Sequence, residues 1–268
     1  MPINRLFVVV MMLFSSTAIG QVEVRDLSTR PGVTMRIAYA KAAAPVASAI
    51  LFQGGGGDIG VFPNGSIKND SVFLSGGIRR FTDNNVTVVL VDSPSDRNNL
   101  NGDFRSSQEH ADDVAAAIAF LRSESQLPIW AIGTSNGSLS AANASARLGN
   151  RGPDGIVLTA STTIYGPIKS LTHLVTDAKL QDITVPALWV HHKDDQCKHT
   201  PHEAVPALIS LMTRSSRTEL ITVEGGTANG RWGPCASGYH QFQGIEMDVT
   251  TKITDWIKQY QAMIKPRT

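Results

Sequence analysis

The sequence predicts an α/β protein: one domain built on a mostly parallel sheet, with helices packed on both faces. Three observations carry this. Short apolar runs rich in Val, Ile and Leu alternate with longer runs of helical character. Most of the apolar runs are continuous rather than alternating, as strands covered on both faces must be. Every Gly-rich or polar cluster of chemical interest follows the end of such a run, which is where ligands sit in open parallel sheets.

Taken in order, Val33–Ala40 alternates with period two and reads as a strand. Ala47–Phe52 is apolar throughout and stops at Gln53-Gly54-Gly55-Gly56-Gly57, where the glycines break the strand. Val86–Val91, VTVVLV, is β-branched and stops at Asp92. Gln108–Arg122 holds AAAIAFL and reads as a helix. His110, Asp112 and Asp113 lie at its start, where acids complement the helix dipole, and no chemistry is assigned to them. Pro128–Ile132 is a strand and Ser138–Leu148 a helix. Ile156–Thr159 is a short strand, and Val185–Val190 another. Pro201–Met212 reads as a helix, Glu219–Val223 as a strand and Gly244–Ile264 as a long closing helix. No repeat, low-complexity tract or linker divides the chain, so residues 21–268 read as a single domain.

Residues 1–20 read as a signal peptide. Arg5 supplies the positive start, Leu6–Phe14 a short apolar stretch, and Ala18 and Gly20 the small residues before a cleavage near Gly20. The apolar stretch is too short to span a membrane. No cysteine follows it, which argues against a lipid anchor. Without this segment the basic and acidic residues balance at 23 each, and no basic run or patch suggests a nucleic-acid partner. The chain is 42% hydrophobic and 18% charged, which excludes disorder. Two cysteines, Cys197 and Cys235, suggest one disulfide in an exported chain. Localisation is therefore expected to be periplasmic or secreted, with no stable membrane anchor.

The chemistry centres on Gly133-Thr134-Ser135-Asn136-Gly137, between a strand and a helix. A G-x-S-x-G run alone is a weak signal. In this setting it matches a nucleophile on a strained turn, which flanking glycines allow to close. The backbone N–H of Asn136 then lies at a helix start, where it can stabilise an oxyanion. A serine hydroxyl is a weak nucleophile without a base. Downstream, the acids Asp194 and Asp195 follow the strand ending at Val190, and His240 lies just before the last helix. The chain order serine, acid, histidine is the one this kind of fold uses.

On these residues the chain resembles the α/β-hydrolase family over nearly all of residues 21–268. The resemblance implies a sheet of about eight strands with helices on both faces, and a catalytic set of Ser135, Asp195 and His240. The family's acid loop carries a Gly three residues before the acid. His192 stands there instead, which leaves Asp194 as a rival. The family's loop after the third strand supplies a second oxyanion N–H. Here that loop is Gln53–Gly57, with Gln53 in place of a common His, and Gly55 is assigned beside Asn136, with Gly54 and Gly56 as rivals. The glycines lack the Lys-Ser/Thr of a phosphate-binding loop.

If Asp195 and His240 touch, Cys197 and Cys235 become neighbours, and a disulfide would clamp the acid loop to the histidine loop. Residues 191–202 hold four of the seven histidines. They show no metal-ligand spacing, so His199 and His202 are expected to be solvated and no metal or cofactor is implied. About 25 residues separate Thr159 from Val185, which leaves room for little or no cap. Asp58, Phe62, Asp92, Arg105 and Trp232 are candidates for the rim. The implied activity is hydrolysis of a small-molecule ester or acyl substrate. A peptidase or amidase, an acyltransferase, a binding protein on the same scaffold and a metalloenzyme are the other readings. Nothing in the sequence bears on oligomeric state.

Overall fold

The computed structural model describes residues 21–165, 173–228 and 232–264. The leader expected at residues 1–20 lies outside the described residues.

One eight-stranded sheet runs through the protein in the order β1-β2-β4-β3-β5-β6-β7-β8. The strands are β1 Glu23–Arg30, β2 Val33–Ala40, β3 Ala47–Phe52, β4 Val86–Pro94, β5 Ile129–Thr134, β6 Gly155–Thr159, β7 Ala187–His192 and β8 Thr218–Val223. β1 and β2 pair antiparallel, as do β2 and β4. From β4 across to β8 every pairing is parallel. β3 therefore lies between its successors β4 and β5, and the loops leaving β3 and β5 open a crevice at that reversal of strand order.

The helices are α1 Ile78–Asp83, α2 Gly102–Arg105, α3 Gln108–Glu124, α4 Gly137–Leu148, α5 Val205–Ile209 and α6 Glu246–Ile264. Strand periodicity divides the core between the two faces of the sheet. On β5, Ile129 and Ala131 pack with α3 and α4, while Trp130 and Ile132 pack with α1 and α6. α6 presents Val249, Ile253, Trp256 and Ile257 at helical spacing, all buried. Each fully buried aliphatic side chain there stabilises the docking by roughly 1.5–3 kcal/mol. Trp256 packs edge-on against Trp130 at 5.5 Å, and its indole N–H donates to Glu219 of β8 at 2.7 Å.

The structure differs from the sequence reading at several elements, the one-turn α2 among them. β1 was not foreseen, because EVRDLSTR is polar and sits half-exposed at the sheet edge, where charge guards an unpaired strand. α1 was not foreseen, because its six residues bury only Ile78 and Phe81. The helix expected over Pro201–Met212 is a 3-10 turn at His202–Ala204 followed by the short α5, with Pro206 in its first turn. α6 starts at Glu246 rather than Gly244, whose φ of +87° is outside helical space. Between β6 and β7 the described residues form two 3-10 turns, Val175–Ala178 and Leu180–Asp182. Among the described residues no helix is long and apolar enough to cross a membrane.

Candidate active site

Ser135 sits at the turn from β5 into α4 with φ +53°. A non-glycine residue in that region costs on the order of 1–3 kcal/mol and persists only where its surroundings hold it. Here they do. Ser135 N–H donates to Thr159 O at 3.0 Å, and its carbonyl accepts from Ser138 N–H at 3.0 Å. The flanking glycines are required by close approach. A Cβ on Gly133 would strike the Gly137 carbonyl, and one on Gly137 would strike the Phe52 carbonyl.

The glycine loop after β3 packs directly on this turn. A Cβ on Gly54 would lie 2.8 Å from Ser135 Cβ and 2.9 Å from Thr134 O. Gly55 has φ +59°, and its carbonyl accepts from Asn136 Nδ2 at 3.4 Å. Two side chains hold the loop from below. Asp92 accepts the N–H groups of Ile59 at 3.1 Å and Val61 at 2.8 Å. Arg105, buried, donates to Gln53 O at 3.0 Å and Gly55 O at 3.2 Å. Gln53, in place of the family's His, accepts Ser75 N–H at 3.2 Å.

Asp195 follows β7 with its side chain fully buried. It accepts Cys197 N–H at 2.9 Å, Thr200 Oγ1–H at 2.7 Å and His240 Nδ1–H at 2.9 Å. Burial pushes its carboxyl up, but the bonds from His240, Cys197 and Thr200 outweigh burial and hold it below the usual carboxylate range. An ionised carboxylate only accepts, so Nδ1 of His240 carries the hydrogen between them, and Nε2 is the ring nitrogen turned away from Asp195. That Nε2 atom is buried and bonded to no described residue, Ser135 included. Asp194, the rival acid, is exposed, and its N–H donates to His192 Nδ1 at 3.0 Å.

His192 has its own task. Its ring stacks on Tyr239 with centroids 4.1 Å apart, and its Nε2–H donates to Gly225 O at 2.8 Å. It therefore fastens the acid loop to the histidine loop, where a Gly would offer no side chain. The Cys197–Cys235 disulfide joins the same two loops across 38 residues. A closure of that length stabilises by about 4 kcal/mol on the chain-entropy estimate. Replacing both cysteines with Ser is expected to lower the unfolding free energy by about that amount, read by urea denaturation. A change under about 1 kcal/mol would mean that the stack and the Asp195 bonds already hold the loops.

A cavity of about 240 Å³ lies between the loops, with Gly54, Gly55, Cys235, Ala236 and Gln241 in its wall. Its wall takes residues from the glycine loop, which packs on Ser135, and from the segment around His240. A second cavity of about 390 Å³ adjoins Gly55 and Asn136.

The other sequence expectations divide. Phe62 and Trp232 are exposed, while Arg105 and Asp92 support the glycine loop. His199 is a correction. It was expected to be solvated but is 3% exposed, and neither ring nitrogen is hydrogen-bonded among the described residues. Its loop is folded inward by the Asp195 and disulfide contacts, which local polarity does not reveal. His202 is half-buried and its Nε2 meets Thr222 Oγ1 at 2.7 Å. His191 points into the core from β7, where burial pushes it down to about 3, and as a neutral ring it accepts Ser161 N–H at 3.1 Å. Thr200, not singled out from the sequence, meets both Asp195 and His240, the latter at 3.2 Å. Nothing in its sequence setting marks it. Among the described residues no group of three or more His, Cys, Asp and Glu is placed to hold a metal ion.

No protein-family model matches this chain, and no curated protein matches it in sequence. Its backbone has many counterparts among solved structures. An α/β serine hydrolase without a lid from Xanthomonas campestris is 14% identical, with TM-score 0.59 over 90% of this chain and 95% of its own. An esterase from Pyrococcus furiosus is 12% identical, with TM-score 0.64 over 90% and 93%. A dienelactone hydrolase from Anabaena variabilis is 12% identical, with TM-score 0.61 over 90% and 98%. At these identities the likeness speaks for the backbone alone, and there it agrees with the mostly parallel eight-stranded sheet: the chain has the α/β-hydrolase fold.

Proposed function

We propose that the protein is an exported serine hydrolase that cleaves carboxylic esters, with residues 21–268 forming a single domain with little or no cap. The observation that carries the reading is the bond from His240 Nδ1 to the buried Asp195, which leaves Nε2 as a free base. Ser135 Oγ attacks the ester carbonyl carbon as His240 Nε2 takes its proton. The tetrahedral oxyanion is received by the N–H groups of Gly55 and Asn136. Collapse breaks the bond to the alcohol oxygen, which leaves with the proton held on Nε2. Water, deprotonated by the same nitrogen, then attacks the acyl-enzyme. The acid is released and Ser135 regains its proton. Asp195 keeps the tautomer and stabilises the imidazolium. Bonds of this kind often close only when substrate binds, so Ser135 and His240 need not be joined beforehand.

The esterases among the structural neighbours favour an ester over an amide. The Cys197–Cys235 disulfide favours an oxidising compartment. A fluorophosphonate probe on the folded protein, mapped by mass spectrometry, is expected to label Ser135 alone. Absence of labelling would remove the activated serine and the reading with it. A second test bears on the glycine loop. Gly54→Ala drives a methyl into Ser135 and the Thr134 carbonyl, and is expected to lower kcat about 100-fold by displacing the nucleophile. Retained kcat would show that the loop can shift without moving Ser135.

A further inference from the structure

The larger cavity, about 390 Å³, lies against Gly55 and Asn136, the two residues assigned to the oxyanion. Its polar wall includes Asn99, Asn101, Arg105, Asn136 and His173, and among the described residues no Asp or Glu lines it. Arg105 sets its electrostatics. The side chain is 1% exposed. Nε donates to Leu100 O at 3.0 Å, Nη1 to Ser140 Oγ at 2.6 Å, and Nη2 to the carbonyls of Gln53 and Gly55. All four acceptors are neutral. Among the described residues no carboxylate pairs with Arg105, whereas Arg36 and Arg97 each hold one and Arg30 holds three. Burial alone pulls this guanidinium down to about 9, with no opposing charge to restore it. It is still a cation at neutral pH. A buried cation without a counter-ion is costly, and this one lies in the wall of the cavity, behind its accessible surface. His173 already meets the exposed Asp103 at 3.2 Å. Arg105 is therefore the uncompensated charge.

We infer that the ester cleaved at Ser135 carries a carboxylate, which this cavity receives on its asparagine amides within the field of the buried Arg105. The inference rests on the serine hydrolase reading and names the substrate class. Four of the five guanidinium N–H groups of Arg105 are already donated and its side chain is buried, so it acts on the cavity through its charge. The side-chain amides of Asn99 and Asn101 supply the donors. A neutral acyl chain of the same length gains nothing from the Arg105 charge and is disfavoured relative to the anion.

The test compares p-nitrophenyl hydrogen adipate with p-nitrophenyl hexanoate, each corrected for the Ser135→Ala background. The anionic ester is expected to show at least about tenfold higher kcat/KM, the discrimination of a well-placed charged bond. Arg105 also holds the glycine loop, so its removal would confuse binding with loop geometry. Asn99 is exposed and lines the cavity, and Asn99→Asp adds a like charge without touching the Arg105 bonds. It is expected to lower the anionic-to-neutral ratio at least tenfold. In calorimetry on the Ser135→Ala protein, adipate is expected to bind and adipamide not. Fluorophosphonate labelling of Ser135 with equal or better turnover of the hexanoate would overturn this inference and leave the hydrolase reading standing. Failure of Ser135 to label would overturn both. Equal binding of adipate and adipamide would remove the anion site whatever the kinetics.

Discussion

Ser135→Ala is expected to reduce kcat on a p-nitrophenyl ester by on the order of 10⁴- to 10⁶-fold, with the fold intact. The chemical reason is that acyl transfer to enzyme has no substitute nucleophile once Oγ is gone, and only oxyanion stabilisation and binding remain. The structural reason for an intact fold is that Ser135 is held through its backbone. Its N–H and carbonyl bond to Thr159 and Ser138, and alanine keeps both. Alanine also keeps the same Cβ at φ +53°, so the strain neither grows nor relaxes. Thermal unfolding should therefore match the wild type while turnover disappears. Turnover within tenfold of wild type, in protein of unchanged stability, would place the chemistry elsewhere. Ser135→Gly makes a useful companion. It relieves the positive φ, so it should be inactive yet no less stable, because the strain serves exposure of the hydroxyl and not folding.

Asp195→Asn is expected to lower kcat at neutral pH by about 10⁴-fold, and Asp194→Asn by less than about threefold. The asparagine can present N–H where a carboxylate only accepts. His240 then flips its tautomer, and Nε2 carries a hydrogen instead of the lone pair that the proposed mechanism needs to take the Ser135 proton. Asp194 is exposed and reaches none of these atoms by its side chain. A reversal of the two results would reassign the acid to Asp194. The same residue sets a pH dependence of stability. The folded carboxyl is held below the usual range, so its contribution is present above the unfolded value and is lost as pH falls through the folded one. The melting-temperature gap between wild type and Asp195→Asn should therefore be full at neutral pH and shrink below about pH 4. A gap that stays constant down to pH 2 would show that the carboxylate charge contributes nothing.

The sequence was most legible where local pattern and tertiary role coincide. β3, β5, β6 and the helix after Ser135 are strongly apolar or small-residue runs, and both sheet faces demand that. The turn at Gly133–Gly137 was readable for a related reason: close approach to the Phe52 and Gly137 carbonyls excludes any Cβ at the two glycines, so the constraint is written in residue type. β1 was not readable. Its polar residues earn their place by pairing with β2, and Arg36 meets Asp26 across that pair at 2.7 Å. His199 misled for the same reason, since its burial comes from loops contributed by distant segments.

What the sequence determined by itself is the order and chemistry of the parts. It set a parallel sheet, a serine on a strained turn, an acid pair after one strand, a histidine before the last helix and two cysteines beside them. Only the tertiary structure decided which acid meets the histidine, that His192 stacks on Tyr239, that Thr200 shares the Asp195–His240 bond, and that Arg105 lies uncompensated beneath the glycine loop. The physical reason is range. Backbone sterics and hydrophobic period act over a few residues and leave their mark in local composition. Charge pairing and desolvation act between atoms that the chain brings together from dozens of residues apart, and no local pattern records which partner a charge will find, or that it will find none.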